Sequence, residues 1–363
     1  MTDSDRIVKE FIKLASFDSE TGNESRISDY LLDLLINLGL ETHRDDLGNI
    51  YGFLKGNSDS AAILLSSHMD TVRPGKGKRV IVHNDGKITS DGTTVLGADD
   101  ISGLVSIIET LRVIIEEGLS HGDIEVLFSV QEESFCSGTA DYDFDRIKAG
   151  QAYVLDLSGP IGGCALAAPS ILTFTETVYG KSAHSGFDPE SGIHAIAIAA
   201  KAISEITNGH IDESTTVNVG LIEGGSAPNI VPDKVVITGE IRSLSHEKAL
   251  EQAKLIEETF LRAVDGTGAR VTHDVKVNFK AYHTEEYSAT VRRFIRACNR
   301  VGVNAVLQTT FGGSDNNRLA EHGIEGIVIA CGMNNVHTTK EYTSVVDLTL
   351  SAEVTLALAT DGE

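Results

Sequence analysis

The chain has 363 residues, 41% hydrophobic and 23% charged, with near-neutral mean hydropathy, a composition that excludes a disordered or fibrous protein and a length that suits two domains. Its formal net charge of −23, from 53 acidic and 30 basic side chains, opposes nucleic acid and anionic membranes, so neither is expected as a partner. Four scattered cysteines, Cys136, Cys164, Cys298 and Cys331, form no CxxC pair and suggest neither a disulfide framework nor a thiolate metal site.

In chain order, "MTDSDRIVKEFIKLAS" reads as an amphipathic helix capped by Ser4, without the basic start and apolar centre of a secretory signal. No apolar run approaches the roughly 20 residues of a membrane helix; a cytoplasmic location is expected. Helical periodicity covers 24–38, stopped by Gly39, and 101–117, stopped by Gly118; both read as amphipathic. Around them lie the strand-like runs 61–66, 124–130, 152–157, 304–310 and 326–330. Strands alternating with helices predict an α/β domain with a mixed, mostly parallel sheet.

From about 168 the texture changes to alternating segments, "TFTETVYG", "TTVNVGLIEGG" and "DKVVITGEIRS", with helices near 192–206 and 245–264, the second capped by Ser245. That predicts a small α+β domain. Segment 282–363 returns to α/β texture, with a helix near 286–300 followed by two strands. The expected organisation is therefore one domain of residues 1–167 and 282–363, interrupted by an inserted domain of residues 168–281.

In open α/β sheets functional groups gather beyond the carboxyl ends of strands. His68 and Asp70 follow the first apolar run in "SSHMDT", Glu132 and Glu133 follow "IEVLFSV", and Asp156 closes "AYVLD". The run "GIVIA" leads through "CGMNN" to His337, and Asp99-Asp100 stand just before a helix. Each element alone has an ordinary explanation, such as helix capping for adjacent aspartates. Their conjunction does not, because carboxylates meeting in one pocket repel unless protonated or neutralised by cations. A nitrogen-and-oxygen donor set without cysteine suits zinc, and also cobalt or manganese. Two metals roughly 3.5–4 Å apart, bridged by a carboxylate and a water, form a hydrolytic arrangement that needs a neighbouring carboxylate as general base. The pair Glu132-Glu133 offers one residue as ligand and one as base.

These residues resemble the dizinc metallopeptidases related to aminoacylase and glutamate carboxypeptidase, and among them the peptidase T-like tripeptide aminopeptidases. The resemblance spans nearly the whole chain through "SSHMDT", "LGADDISG", "SVQEES", Asp156, "GKSAHSGFDPESG", "GEIRS", "FGGSDNN" and "VHTTKEY". It implies that His68 and Asp156 end-ligate one metal, Glu133 and His337 the other, and Asp99 bridges them. By the same resemblance Asp70 orients His68, Glu132 is the general base, and a cis peptide follows Asp99. The insert resembles a lid domain that often also mediates dimer contacts. There His184 matches a histidine that, in dimeric relatives, reaches the partner subunit's site to stabilise an oxyanion; Asn229 and Arg242 match substrate-holding residues. "DDIS" departs from the family's usual Asp-Asp-Lys at Ile101, one residue beyond the ligand pair.

The expected activity is removal of an N-terminal residue from short peptides, tripeptides foremost, by a metal-bridging water activated by Glu132. The same scaffold also serves carboxypeptidases and N-acyl-amino-acid deacylases, which metal ligands do not discriminate; "FGGSDNN", with Asp315, favours recognition of a free amine. A non-catalytic peptide- or metal-binding protein would lack Glu132 or a ligand, and every such position is filled.

Overall fold

The computed structural model describes residues 1–362 and divides into two compact units. The first comprises Met1–Ala167, His283–Thr310 and Ser314–Glu363; the second comprises Ala168–Tyr282 and Phe311–Gly313.

The first unit is built on a mixed sheet. Strand Ile63–His68 runs parallel to Ile124–Ser129 on one side and to Gln151–Leu157 on the other, and Glu325–Ala330 continues parallel beyond the latter. Ile50–Leu54 and Glu41–Arg44 extend one edge antiparallel; Gly163–Ala168 joins Glu325–Ala330 antiparallel and pairs in parallel with Val306–Thr309. Ile63–His68 and Ile124–Ser129 are buried at every position, which explains why Ile63–Leu65 and Val126–Phe128 are uninterrupted apolar runs: both faces of such strands are covered.

Helix Ala98–Glu117 packs on the first of these strands and against the C-terminal helix Val345–Ala359. Its run from Ala98 to Leu111 is buried throughout, so it is a core helix rather than the amphipathic one its sequence suggests. Gly118, at φ +61, ends it in the left-handed conformation that favours glycine. The first helix spans Ser4–Ala15, and its cap is Asp3, whose carboxylate accepts from the amides of Asp5 and Arg6; Ser4 is the first helical residue. Serine and aspartate both cap well, and here the one with two amides in reach takes the position. Helices Asp315–Glu321 and Val345–Ala359 and the strand Gly163–Ala168 were not legible as separate elements.

The second unit is a five-stranded antiparallel sheet ordered Gly209–Asp212, Thr215–Gly224, Lys234–Ser243, Ser170–Tyr179, Arg270–Phe279. Burial alternates along Ser170–Tyr179 and Lys234–Ser243, as expected of strands covered on one face. Helices Ala195–Glu205 and His246–Val264 cover it, the latter capped by Ser245. Leu172, Phe174, Val178, Ile237, Ile241, Ile256 and Phe260 form this unit's own core. No helix among the described residues is long and apolar enough to cross a membrane.

Candidate metal centre

Three adjacent parallel strands deliver the centre of the first unit. His68 is the last residue of Ile63–His68; Glu132 and Glu133 open a short turn of helix just after Ile124–Ser129; Asp156 lies near the end of Gln151–Leu157. Asp99 comes from the kinked start of the helix Ala98–Glu117, where the Asp99–Asp100 peptide is cis. His337 sits in the loop after Glu325–Ala330.

Asp99 is shared. Its Oδ1 lies 3.0 Å from His68 Nε2 and its Oδ2 lies 3.1 Å from His337 Nε2. Glu133 Oε2 is 3.0 Å from the same His337 nitrogen, and Asp156 Oδ1 is 3.9 Å from His68 Nε2. Two triads result, His68–Asp99–Asp156 and Asp99–Glu133–His337, each with ligand atoms within 4.8 Å of one another.

Asp70 works from behind. Its carboxylate lies 3.4 Å from His68 Nδ1, and its backbone carbonyl lies 3.0 Å from the same nitrogen. It also accepts from Thr21 Oγ1 at 2.8 Å, from the Glu132 amide at 2.9 Å and from the Glu133 amide at 3.3 Å. One buried carboxylate thus holds both the imidazole and the start of the turn that carries the two glutamates. Burial opposes its charge, yet the bonds from His68, Thr21 and Glu132 keep its carboxyl below the usual range.

The other carboxyls divide by their partners. Asp99 is fully enclosed, but its bonds to His337 and His68 outweigh burial and hold it low. Glu132 and Asp156 are pushed well up, first by burial and also by neighbouring carboxylates, and Glu133 rises for the same first reason. The two histidines go up: His68 because Asp70 and Asp99 overcome its burial, His337 to about 10 through its bonds to Asp99 and Glu133.

This donor set fits divalent cations. Six carboxyl groups (Asp70, Asp99, Asp100, Glu132, Glu133 and Asp156) crowd around two imidazoles, more than the two rings can neutralise, so without bound cations several are driven towards the protonated form. Glu133 Oε1 is buried without a hydrogen-bond partner, a costly arrangement unless something electropositive faces it. The donors are nitrogen and oxygen, the borderline-to-hard set of zinc, cobalt and manganese.

Sequence reasoning passed over two supports. Asp100 is buried behind His68: its carboxylate accepts from Ser67 Oγ at 2.5 Å, the His68 amide at 3.3 Å and the Gly103 amide at 3.1 Å. Gly103 permits this, since a Cβ there would lie 2.6 Å from that carboxylate and from the Leu155 carbonyl. Glu341, four residues after His337 and 1% exposed, accepts from the amides of Leu96, Gly97 and Asp99. Asp315 corrects an expectation: it is 2% exposed and its two oxygens accept the hydroxyls of Ser129 and Thr139, so it fastens the loop after Ile124–Ser129 and presents no free carboxylate to an amine.

The remaining candidates belong to the second unit. His184 is exposed, its Nδ1 accepting from the amides of Gly186 and Phe187 at 3.2 Å and its ring packed on Phe187 at 4.4 Å. Asn229 is exposed and its carbonyl accepts from Ser185. Arg242 gives Nε and Nη2 to Glu240 and Nη1 to the Phe311 carbonyl.

Residues 49–158 match the model of peptidase family M28, and residues 166–265 match that of the peptidase dimerisation domain. An aminopeptidase PepT from Bacillus cereus is 38% identical, with 99% of this chain and 98% of that one covered at a TM-score of 0.92. The chain belongs to the dizinc metallopeptidases, in their peptidase T-like branch. A tripeptidase from Staphylococcus aureus is 34% identical over 99% and 98% of the two chains, with a TM-score of 0.95, and a peptidase T from Clostridium perfringens is 26% identical over 97% of each. This metallopeptidase is accordingly a metal-dependent hydrolase of peptides, and its second unit is of the dimerisation-domain type. A dinuclear metal-binding peptidase from Bacillus subtilis, at 16% identity and a TM-score of 0.76, shares the fold.

Proposed function

We propose that the protein is an aminopeptidase that removes the N-terminal residue of short peptides, tripeptides foremost, at a two-metal centre. His68, Asp99 and Asp156 would hold one ion and Asp99, Glu133 and His337 the other. Bound there, two divalent ions, zinc foremost, would polarise the scissile carbonyl and lower the pKa of water.

The observation that carries this reading is the division of labour between adjacent glutamates. Glu133 belongs to a ligand triad, whereas Glu132 belongs to neither, is buried beside both, and has a carboxyl pushed well up by that burial. Glu132 is then the base that accepts the proton of the attacking water and returns it to the departing amine. Asp70 fixes the tautomer and plane of His68 and anchors the Glu132 amide.

In the second unit, the two amides on His184 Nδ1 require that nitrogen to be an acceptor. Its proton therefore sits on Nε2, which makes the ring a donor suited to a developing oxyanion. Arg242 spends three of its five N–H groups on Glu240 and Phe311, and the remaining two are available to a peptide carboxylate. Asn229, whose carbonyl accepts from the Ser185 amide beside His184, is a further substrate contact. The inserted unit would act as lid and as the contact surface of a homodimer, and the four unpaired cysteines suit a reducing, cytoplasmic setting.

The amine preference rests on the similarity to an aminopeptidase and a tripeptidase, since Asp315 does not supply it. Ala-Ala-Ala assayed against its N-acetylated form tests it. The free peptide should be cleaved to alanine and Ala-Ala and the blocked one left intact; cleavage of the blocked peptide would point instead to a carboxypeptidase or deacylase.

A further inference from the structure

We propose that Glu341 is a positioning residue that holds the bridging Asp99 in register with His337 and so selectively sets the affinity of the second metal position. This rests on the two-metal reading above.

The two halves of the centre are supported unequally. On the His68 side the ring and its flanking backbone are braced by Asp70, Asp100 and Ser67, all buried in the sheet. On the other side His337 is 52% exposed, sits at φ +60, and meets the carboxylates of Asp99 and Glu133 through Nε2 alone. Its loop is a closed excursion: Asn334 and Tyr342 exchange backbone hydrogen bonds at the base, and Thr338 accepts from the Glu341 amide. Something must fix that loop to the segment carrying Asp99, and Glu341 does so from the loop's base.

Its geometry is that of a clamp. Oε2 accepts from the Leu96 and Gly97 amides at 2.7 Å each, and Oε1 accepts from the Asp99 amide at 2.9 Å. Three backbone donors around one buried carboxylate leave little rotational freedom to the Asp99 backbone. Gly97, at φ +79, lets the chain turn over the carboxylate. Charge-assisted bonds of this kind are roughly twice as strong as neutral ones. An amide side chain of the same shape would present N–H groups to amide donors and lose part of the clamp. Because ligand-supporting residues typically change metal affinity by about 10–100-fold when replaced, the loss should fall on the position that depends on His337.

The test is metal binding by the apoprotein, read without turnover. Cobalt(II) titrated into metal-free wild type, followed by visible absorption and calorimetry, should fill two positions. Glu341→Gln should keep one at wild-type affinity and weaken the other by about 10–100-fold, while Glu341→Asp, which retains the carboxylate, should recover part of the loss. Phe294→Leu, a core change in the same unit away from this loop, provides a variant of lowered Tm that should keep both affinities. Two wild-type affinities in folded Glu341→Gln would overturn the proposal, as would an equal weakening of both positions matched by Phe294→Leu at the same loss of Tm. If Glu341→Gln does not fold, Glu341→Asp decides by the same comparison. Should even wild type fill only one position, the two-metal reading fails rather than the role of Glu341.

Discussion

The two units carry their candidate residues in opposite ways. In the first, the candidate metal-binding residues other than the half-exposed His337 are largely buried and, with their supports, bonded to one another: Asp70 reaches His68 and the amides of Glu132 and Glu133, Asp99 reaches both histidines, Glu341 reaches the Asp99 amide. In the second, His184 and Asn229 are exposed, and Arg242 is occupied by its neighbour Glu240. A buried, interlocked site is preorganised by its own chain, as charge stabilisation in a low dielectric requires. Exposed groups lack such bracing, so what they contribute depends on what they engage. The first region should therefore fail through chemistry and metal affinity, the second through assembly and substrate engagement.

The largest expected effect separates base from ligand. Glu132→Gln should lower kcat by about 10²–10⁴-fold with metal content unchanged by elemental analysis; an active Glu132→Gln enzyme would remove that residue from its role. Next, His184→Ala should cost about 10²–10³-fold in kcat while leaving metal content and Tm near wild type. If its Nε2 serves the partner subunit, mixing His184→Ala and Glu132→Gln chains under exchanging conditions should restore activity that neither has alone. Failure of the mixture would mean that His184 acts in its own chain or not at all. Asp70→Asn ranks third, with about 10–100-fold lost in metal affinity or kcat, because an amide still fills the space but can turn N–H groups towards the Glu132 and Glu133 amides. Unaltered cobalt binding and turnover in this variant would contradict the orienting role.

Legibility in the sequence follows the same divide. His68, Asp99, Glu133, Asp156 and His337 could be proposed because each sits at or beyond the end of an apolar strand or at the start of a helix, where topology forces convergence. Asp70 was legible through its two-residue spacing from His68. Asp100 was seen only as the neighbour of Asp99, and Glu341 only as an unassigned residue of "VHTTKEY", since their work is done on backbone amides whose positions depend on tertiary structure. A glutamate four residues beyond a ligand, followed by a β-strand, was the one available signal. Asp315 misled for a related reason: an aspartate in a glycine-rich loop looks available, and its burial under Ser129 and Thr139 is a tertiary fact. The helix Val345–Ala359 was missed because its apolar residues recur without a polar face, being buried between other helices.

The smallest effect concerns buried charge away from the ligand triads. Lys78 lies buried in the first unit with Nζ donating to the Phe17 and Gly75 carbonyls, and burial pushes its ammonium down to about 8, against the pull of Asp18 and Glu341. Between pH 8 and the ordinary lysine value near 10.4, the unfolded chain holds a proton that the folded chain has released. Stability attributable to Lys78 must therefore rise with pH across that window, the reverse of a lysine stabilised by an ion pair. Lys78→Met removes the titration, so the difference in Tm between wild type and variant should shift in favour of wild type from pH 8 to pH 10, by about 1–2 °C for each kcal/mol recovered. A constant difference would place the ammonium in contact with solvent or fully paired with Glu341. That would narrow the contrast between the two units to the metal centre alone.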